Sequence, residues 1–402
     1  MKLKAVLNKQ RLPWVMLALA LLGTTPVANA ADADSFEDAM RGINTSGQFR
    51  FGYIHQDPDV AGSPTTSAGA IGGQIKLETR QWRGVRLGLA PYFSEKIAAL
   101  SGDEAAGELN GDFFDDNGDS YAYLGEAYLD YSWSNGSLRW GRQQLDTPFI
   151  NTDAIRILPH TYEAAWFWYQ PLSNLSLQGG RATKWAGFAS GGDPGKFKDV
   201  GGDGAIALGA TYKMKAHHTF QGWYYDFDNA FSLLYADAIY NNGHLEGGVQ
   251  YADFNEKNGS GTDGSAWGLK LGYDFDVVKL GAAYNKTSND PGKSASVGLC
   301  GCGSFFTSLD EINIAGKTDA KAWLLSLEYP VNQALVLAIL RGHFEDANKA
   351  TTDIDETNFV LTYALNEMID AEYIYADVQN SAVPTDVDSN FSRHLLRVNY
   401  NF

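Results

Sequence analysis

Between Gly73 and Gln81 the chain alternates two kinds of side chain without a break: Ile75, Leu77 and Thr79 interleave with Gln74, Lys76, Glu78 and Arg80. A period of two fixes an extended strand, and its two faces meet different surroundings. Taken alone, the run also fits a half-exposed strand of a soluble sheet. Its polar face, with four ionic or amide side chains in succession, suits a water-filled lumen better than the inner face of a sandwich. The pattern recurs. Ser46 onward sets Phe49, Phe51 and Tyr53 against Gln48 and Arg50, and sixteen further runs from Val85–Tyr92 to Ser392–Phe402 bring the candidate strands to eighteen. An even number is what closure of an antiparallel barrel requires. The expected class is all-β, a transmembrane antiparallel barrel of about 18 strands spanning 45–402, with a short periplasmic segment at 31–44 that contains one helical turn from Ser35 to Gly42.

Connection lengths carry an independent signal. Tight turns such as Trp82-Arg83-Gly84, Ser134-Asn135-Gly136, Pro171-Leu172-Ser173, Asn241-Asn242-Gly243 and Pro330-Val331-Asn332 alternate with long polar stretches, among them Phe93–Ser120, Thr183–Gly204, Thr287–Ala320 and Val378–Phe391. Short turns on one side and long loops on the other are the organisation of an outer-membrane barrel. The connection Phe227–Ala230 is too short for an external loop unless the rim dips there.

Lys2, Lys4, Lys9 and Arg11 precede an apolar run from Leu12 to Leu22, followed by Ala28-Asn29-Ala30. This is a secretory signal peptide over 1–30. No apolar run approaches the 18 residues of a membrane helix. Of 31 Lys+Arg, the leader holds four, so the mature chain sets 27 bases against 48 acids, a formal charge of −21. Nucleic acid is excluded as a partner on that balance. Mean hydropathy is −0.26 although the chain holds 21 Tyr, 21 Phe and 10 Trp. A barrel that offers every second side chain to lipid and the others to water reconciles the two.

One segment breaks the alternation. From Gln144 to Thr161 the chain has neither a period of two nor a helical one, and it carries two prolines with Asp146, Asp153, Arg156 and His160 beside Phe149, Ile150, Ile155, Ile157 and Leu158. Its apolar residues require something to pack on. It is expected to fold into the lumen and narrow it.

Four blocks resemble one family, the OprD-type porins of Gram-negative bacteria: Ser46-Gly47-Gln48-Phe49-Arg50, Gly72–Thr79, Tyr123–Tyr131 and, most specifically, Gly141–Ala164. The resemblance implies an eighteen-stranded outer-membrane barrel whose third external loop, about 144–161, makes the constriction with Asp146, Asp153, Arg156 and His160. It also implies a lumen ladder of bases, Arg50, Lys76, Arg80, Arg86 and Arg139, facing the loop acids, and passage of small solutes such as ions, carboxylates and amino acids. Ala154 and His160 depart from the family pattern, where a second acid and an asparagine are common, which leaves the solute open. A positive row facing carboxylates would set a transverse field across the passage. The same charges could simply hydrate the lumen.

Outer-membrane lipid, lipopolysaccharide and the barrel-assembly machinery are the expected partners, the last because the chain closes on a strand ending in Phe402. Outward aromatics fit lipid or a second barrel equally, so a homotrimer stays open. Cys300 and Cys302 suit a strained loop disulfide, free thiols or metal capture. No cofactor is expected. The acids between Asp103 and Asp119 read as a solvated loop, with calcium as the alternative, because the EF-hand order fails. Against the passive channel stand a barrel enzyme of lipase or protease type, whose G-x-S-x-G signature is absent, and a surface receptor or adhesin.

Overall fold

The computed structural model describes residues 32–299, 304–347 and 350–402. The expected leader over 1–30, Cys300 and Cys302 lie outside these. The strands are β1 Asn44–Pro58, β2 Thr66–Glu78, β3 Val85–Lys96, β4 Tyr121–Trp133, β5 Gly136–Gln143, β6 Thr161–Leu172 and β7 Leu175–Ala186. They continue with β8 Lys198–Asp199, β9 Ala205–Met214, β10 His218–Phe227, β11 Phe231–Asn241, β12 Leu245–Glu256 and β13 Gly264–Asp274. The last six are β14 Lys279–Ser288, β15 Lys321–Pro330, β16 Leu335–Glu345, β17 Asp353–Ala364, β18 Ile369–Asn380 and β19 Asn390–Asn401. Among the described residues, eighteen of them pair antiparallel with their chain neighbours, and β19 closes on β1 from Gln48 opposite Asn401 to Pro58 opposite Phe391. The two-residue β8 lies outside this ring and pairs with the end of β7.

The alternation has the expected meaning. On β13, Trp267, Leu269, Leu271 and Tyr273 are exposed on the outer surface while Ala266, Gly268, Lys270 and Gly272 are buried inside. Left facing water, each large apolar side chain would forgo about 1.5–3 kcal/mol of burial, whereas hydrocarbon accepts it without penalty. Among the described residues no helix is long and apolar enough to cross a membrane.

The turns are as tight as their residues imply. Trp82 and Val85 exchange both backbone hydrogen bonds across Arg83 (φ 52°) and Gly84 (φ 85°), the two left-handed positions of a twist-matched hairpin turn. The helix α1, Phe36–Arg41, is capped by Ser35, whose hydroxyl accepts from Asp38 N–H, and sets Phe36 edge-on to Trp82 at 5.7 Å. The short link after β10 is real, a three-residue turn from 228 to 230 covered by neighbouring loops: Asp203 N–H donates to Asp228 and Lys257 N–H to the Ala230 carbonyl, both at 2.8 Å.

Strand β2 begins seven residues before the sequence reading placed it and ends at Glu78 rather than Gln81. Its early half, Thr66–Gly72, is poor in bulky β-formers, yet pairing with β1 from Gln56 opposite Thr66 holds it extended. The lumen also differs from a wholly aqueous bore. Inward residues of β6 and β10–β12, including Trp166, Trp223, Tyr225, Leu233, Tyr235 and Phe254, are buried in one apolar cluster beneath loops folded in from the rim.

Candidate functional site

The loop at 144–160, between β5 and β6, is held at both walls of the barrel. Its first half is fixed by packing. Phe149 is fully buried, with its ring 5.4 Å from Tyr235, 5.7 Å from Tyr225 and 6.1 Å from both Phe254 and Phe305, all edge-on. Four such pairs add to the large burial of the ring itself. The second half reaches β1, β2 and β19. Ile157 lies directly on the backbone there: a Cβ on Gly72 would come within 2.2 Å of its Cγ2 and 2.7 Å of the Phe93 carbonyl oxygen, so β2 needs glycine at this inward position, and one on Gly52 would come within 2.5 Å of its Cδ1 and push that methyl aside. Arg50 on β1 donates to the carbonyls of Ala154 (2.7 Å) and Arg156 and, through Nε, to Asn399 (2.7 Å). Arg397 on β19 donates to the same Ala154 carbonyl at 3.2 Å.

The loop residues singled out by sequence have distinct surroundings. Asp146 is exposed and accepts from Thr152 N–H (3.0 Å) and hydroxyl (2.8 Å), which folds the loop on itself. Asp153 is buried in a left-handed conformation (φ 40°), its N–H donating to Asn151. Arg156 is buried, with Nε 2.7 Å from Asp112 and its guanidinium over the Phe188 ring at 5.2 Å. His160 packs between Trp185 and Phe188 and accepts from Ala189 N–H at 3.3 Å. Burial pushes its imidazole down to about 4, so it is neutral at neutral pH.

The five bases of the ladder do not form one row. Arg50 meets the loop. Lys76 pairs with Glu126 (2.8 Å), Arg86 with Glu78 (3.8 Å) and Arg139 with Asp130 (3.0 Å), a line of ion pairs along β2–β5 in which Arg139 also covers the Tyr128 ring at 4.1 Å. Arg80 is beyond the end of β2, its N–H donating to the Ala39 carbonyl of α1. The structure adds groups the sequence reading did not select: Arg393 and Arg397 on β19, Asp112 from the loop at 97–120, and Glu311 and Glu356. Arg393 meets Glu311 at 2.7 Å, and Arg397 pairs with Glu372. The available signal was the inward face of the last strand, which barrel closure lays beside Arg50.

A second loop, 289–320, enters beside the first. Side chains of the wall hold its backbone: Gln250 donates to the Ser304 carbonyl and accepts from Phe306 N–H, Asn285 accepts from Thr307 N–H, and Glu356 accepts from Glu311 and Ile312 N–H. Leu299 N–H donates to the Phe149 carbonyl, and the Tyr162 hydroxyl donates to the Leu299 carbonyl, joining the two loops.

The model of one protein family, Gram-negative porin, matches residues 17–382. The chain belongs to the Gram-negative porin family. It is an outer-membrane channel for small solutes and not an enzyme. A search of curated proteins gives no match. Solved structures of similar fold include OccK9 (OpdG) of Pseudomonas aeruginosa, with a TM-score of 0.74 at 16% identity over 90% of this chain and 99% of that one. OpdQ of the same organism also gives 0.74, at 15% identity over 91% and 99%. OpdK, solved with vanillate, gives 0.71 at 17% identity over 90% and 99%. The OprD-type likeness thus holds across the whole barrel. As a porin, the chain meets membrane lipid on its outside and small solutes within.

Among the described residues no three His, Cys, Asp or Glu are grouped to hold a metal ion. In the acidic loop at 97–120, Asp103 and Asp115 accept backbone N–H groups of their own turns, and Asp112 turns inward to Arg156.

Proposed function

We propose that this porin passes small carboxylate-bearing solutes through a charged constriction made by the loop at 144–160, with Asp146, Asp153, Arg156 and His160, against the arginines of β1 and β19. The observation that carries the reading is the convergence of Arg50, Arg156, Arg393 and Arg397 on one side of the lumen. Guanidinium groups bind carboxylates bidentately and keep their charge at any working pH. OpdK was solved with vanillate, an aromatic carboxylate, which supports the same class here. Lys76, Arg86 and Arg139 form a separate line of ion pairs along β2–β5, each with an acid beside it, so a solute leaving the arginines meets further exchangeable partners without full desolvation. The same reading has the mature chain begin after Ala30, assembled by the barrel machinery, embedded in lipopolysaccharide and able to associate as a trimer.

The test is the reversal potential of purified protein in planar bilayers under a salt gradient. Arg50→Ala with Arg397→Ala shifts it toward cation selectivity and lowers the permeability of benzoate relative to a neutral solute of equal size. An unchanged reversal potential removes the arginine wall from the mechanism.

A further inference from the structure

Four charged groups from four separate stretches of chain close into a ring inside the barrel. Arg156 Nε is 2.7 Å from Asp112, Asp112 is 3.4 Å from Arg393, Arg393 is 2.7 Å from Glu311, and Glu311 is 3.9 Å from Arg156. Arg156 comes from the loop at 144–160, Asp112 from the single turn Gly111–Phe113, Arg393 from β19 and Glu311 from the loop at 289–320. Side-chain exposure is 7%, 25%, 8% and 11% in that order, so the charges act on one another at low effective dielectric and with little screening.

The two acids differ. Asp112 touches both arginines, and although burial works the other way, their attraction holds it below the usual carboxylate range. Glu311 touches Arg393 closely and Arg156 only at 3.9 Å, and it stands beside two further carboxyls: Asp310, whose oxygens are buried, and Glu356 on β17, which binds the N–H groups of Glu311 and Ile312. Of the remaining charged groups, Asp153 on the crossing loop acts on Arg156, Lys317 on the loop of Glu311 acts on Glu356, and Gln56 of β1 accepts from Arg393 at 2.8 Å.

Resting on the channel reading above, we propose that Glu311 is a selectivity-determining residue: its protonation state sets the net charge of the constriction ring, and with it the preference between anions and cations. With Glu311 ionised the ring holds two positive and two negative charges. With Glu311 neutral it holds one net positive charge, Arg393 loses its closest anion, and that guanidinium turns to a solute carboxylate instead. Burial pushes the Glu311 carboxyl up to about 7, with Asp310 acting in the same direction and Arg393 and Arg156 against it, so the exchange falls in mildly acid to neutral water.

The experiment is the reversal potential of the full-length barrel in planar bilayers under a potassium chloride gradient, at pH values from 5 to 8.5. The wild-type channel moves toward anion selectivity as pH falls, with a midpoint near neutrality. Glu311→Gln removes that response and holds at pH 8 the selectivity the wild type reaches only in acid. A wild-type channel that conducts with no pH response, or a Glu311→Gln channel that titrates like the wild type, overturns the proposal and leaves the porin reading standing; absence of conductance at every pH overturns the reading itself. Should Glu311→Gln not assemble, Arg393→Gln decides: loss of the facing cation raises the midpoint by about one pH unit or more, and an unmoved midpoint overturns the role of Glu311.

Discussion

On β10, Trp223, Tyr225 and Phe227 point inward as a stack, with ring centroids 5.6 and 6.0 Å apart; on β19, Arg393 and Arg397 point inward from the same alternation. Both strands offer apolar side chains to lipid, so the outer solvent constrains them alike. The inner faces diverge because each has its own partner. The aromatic wall receives Phe149 and the loop at 289–320 by close packing, which is strong and non-directional. The arginine wall receives loop carbonyls and carboxylates through directed donors, worth about 1.5–3 kcal/mol each where a charge takes part. The aromatic wall thus holds the first half of the loop by packing and the arginine wall its second half by directed bonds, and on the proposal above only the arginine wall also sets what passes beside it.

That division can be broken experimentally. The largest expected effect is on the aromatic side: Phe149→Ala removes a fully buried ring from four aromatic neighbours and costs about 3–5 kcal/mol of loop docking. Hydrogen exchange across 144–160 should accelerate and single-channel current become noisier, while the reversal potential stays near that of the wild type. A selectivity change as large as that of the arginine variants would show that the two walls do not divide the work. Next comes His160. Its folded value near 4 is below that of a free imidazole at about 6.5, so the undocked loop takes up the proton first, and docking weakens as pH falls from about 6.5 to about 4, by up to ~3 kcal/mol. His160→Asn should flatten this dependence in hydrogen exchange; a variant with the wild-type slope would place the titration elsewhere. The smallest effect belongs to the outer surface. Lys184 pairs with Asp199 at 3.6 Å, but both are substantially exposed, and Lys184→Ala should alter thermal stability by less than about 1 kcal/mol without touching conductance.

Much of the barrel was legible because two solvents act on every strand. Each of the eighteen expected runs overlaps a strand, and Tyr121–Trp133 has the same bounds in both. The start of β2 was hidden because the Thr66–Gly72 stretch has small residues on both faces apart from Ile71; it is extended for the sake of β1 and the loops over it, which no local pattern reports. At the site, the crossing loop was visible as a break in alternation, and Asp153 and Arg156 are in its buried part. The grouping was not visible. Arg50 and Arg397 are distant in sequence yet donate to the same Ala154 carbonyl, and Lys76, Arg86 and Arg139 look equivalent to Arg50 in sequence although each has an acid of its own.

The amino-acid order alone decided which side chains face hydrocarbon and which face inward, how many strands there are, and where a loop had to leave the rim, because these depend on periodicity and turn residues within a few positions. The register of β19 on β1, the filling of one inner wall with aromatics, and the ring of Arg156, Asp112, Arg393 and Glu311 came only with the tertiary structure. Charges interact across space at a strength set by burial and distance, and neither quantity exists until segments far apart in the chain have been brought together.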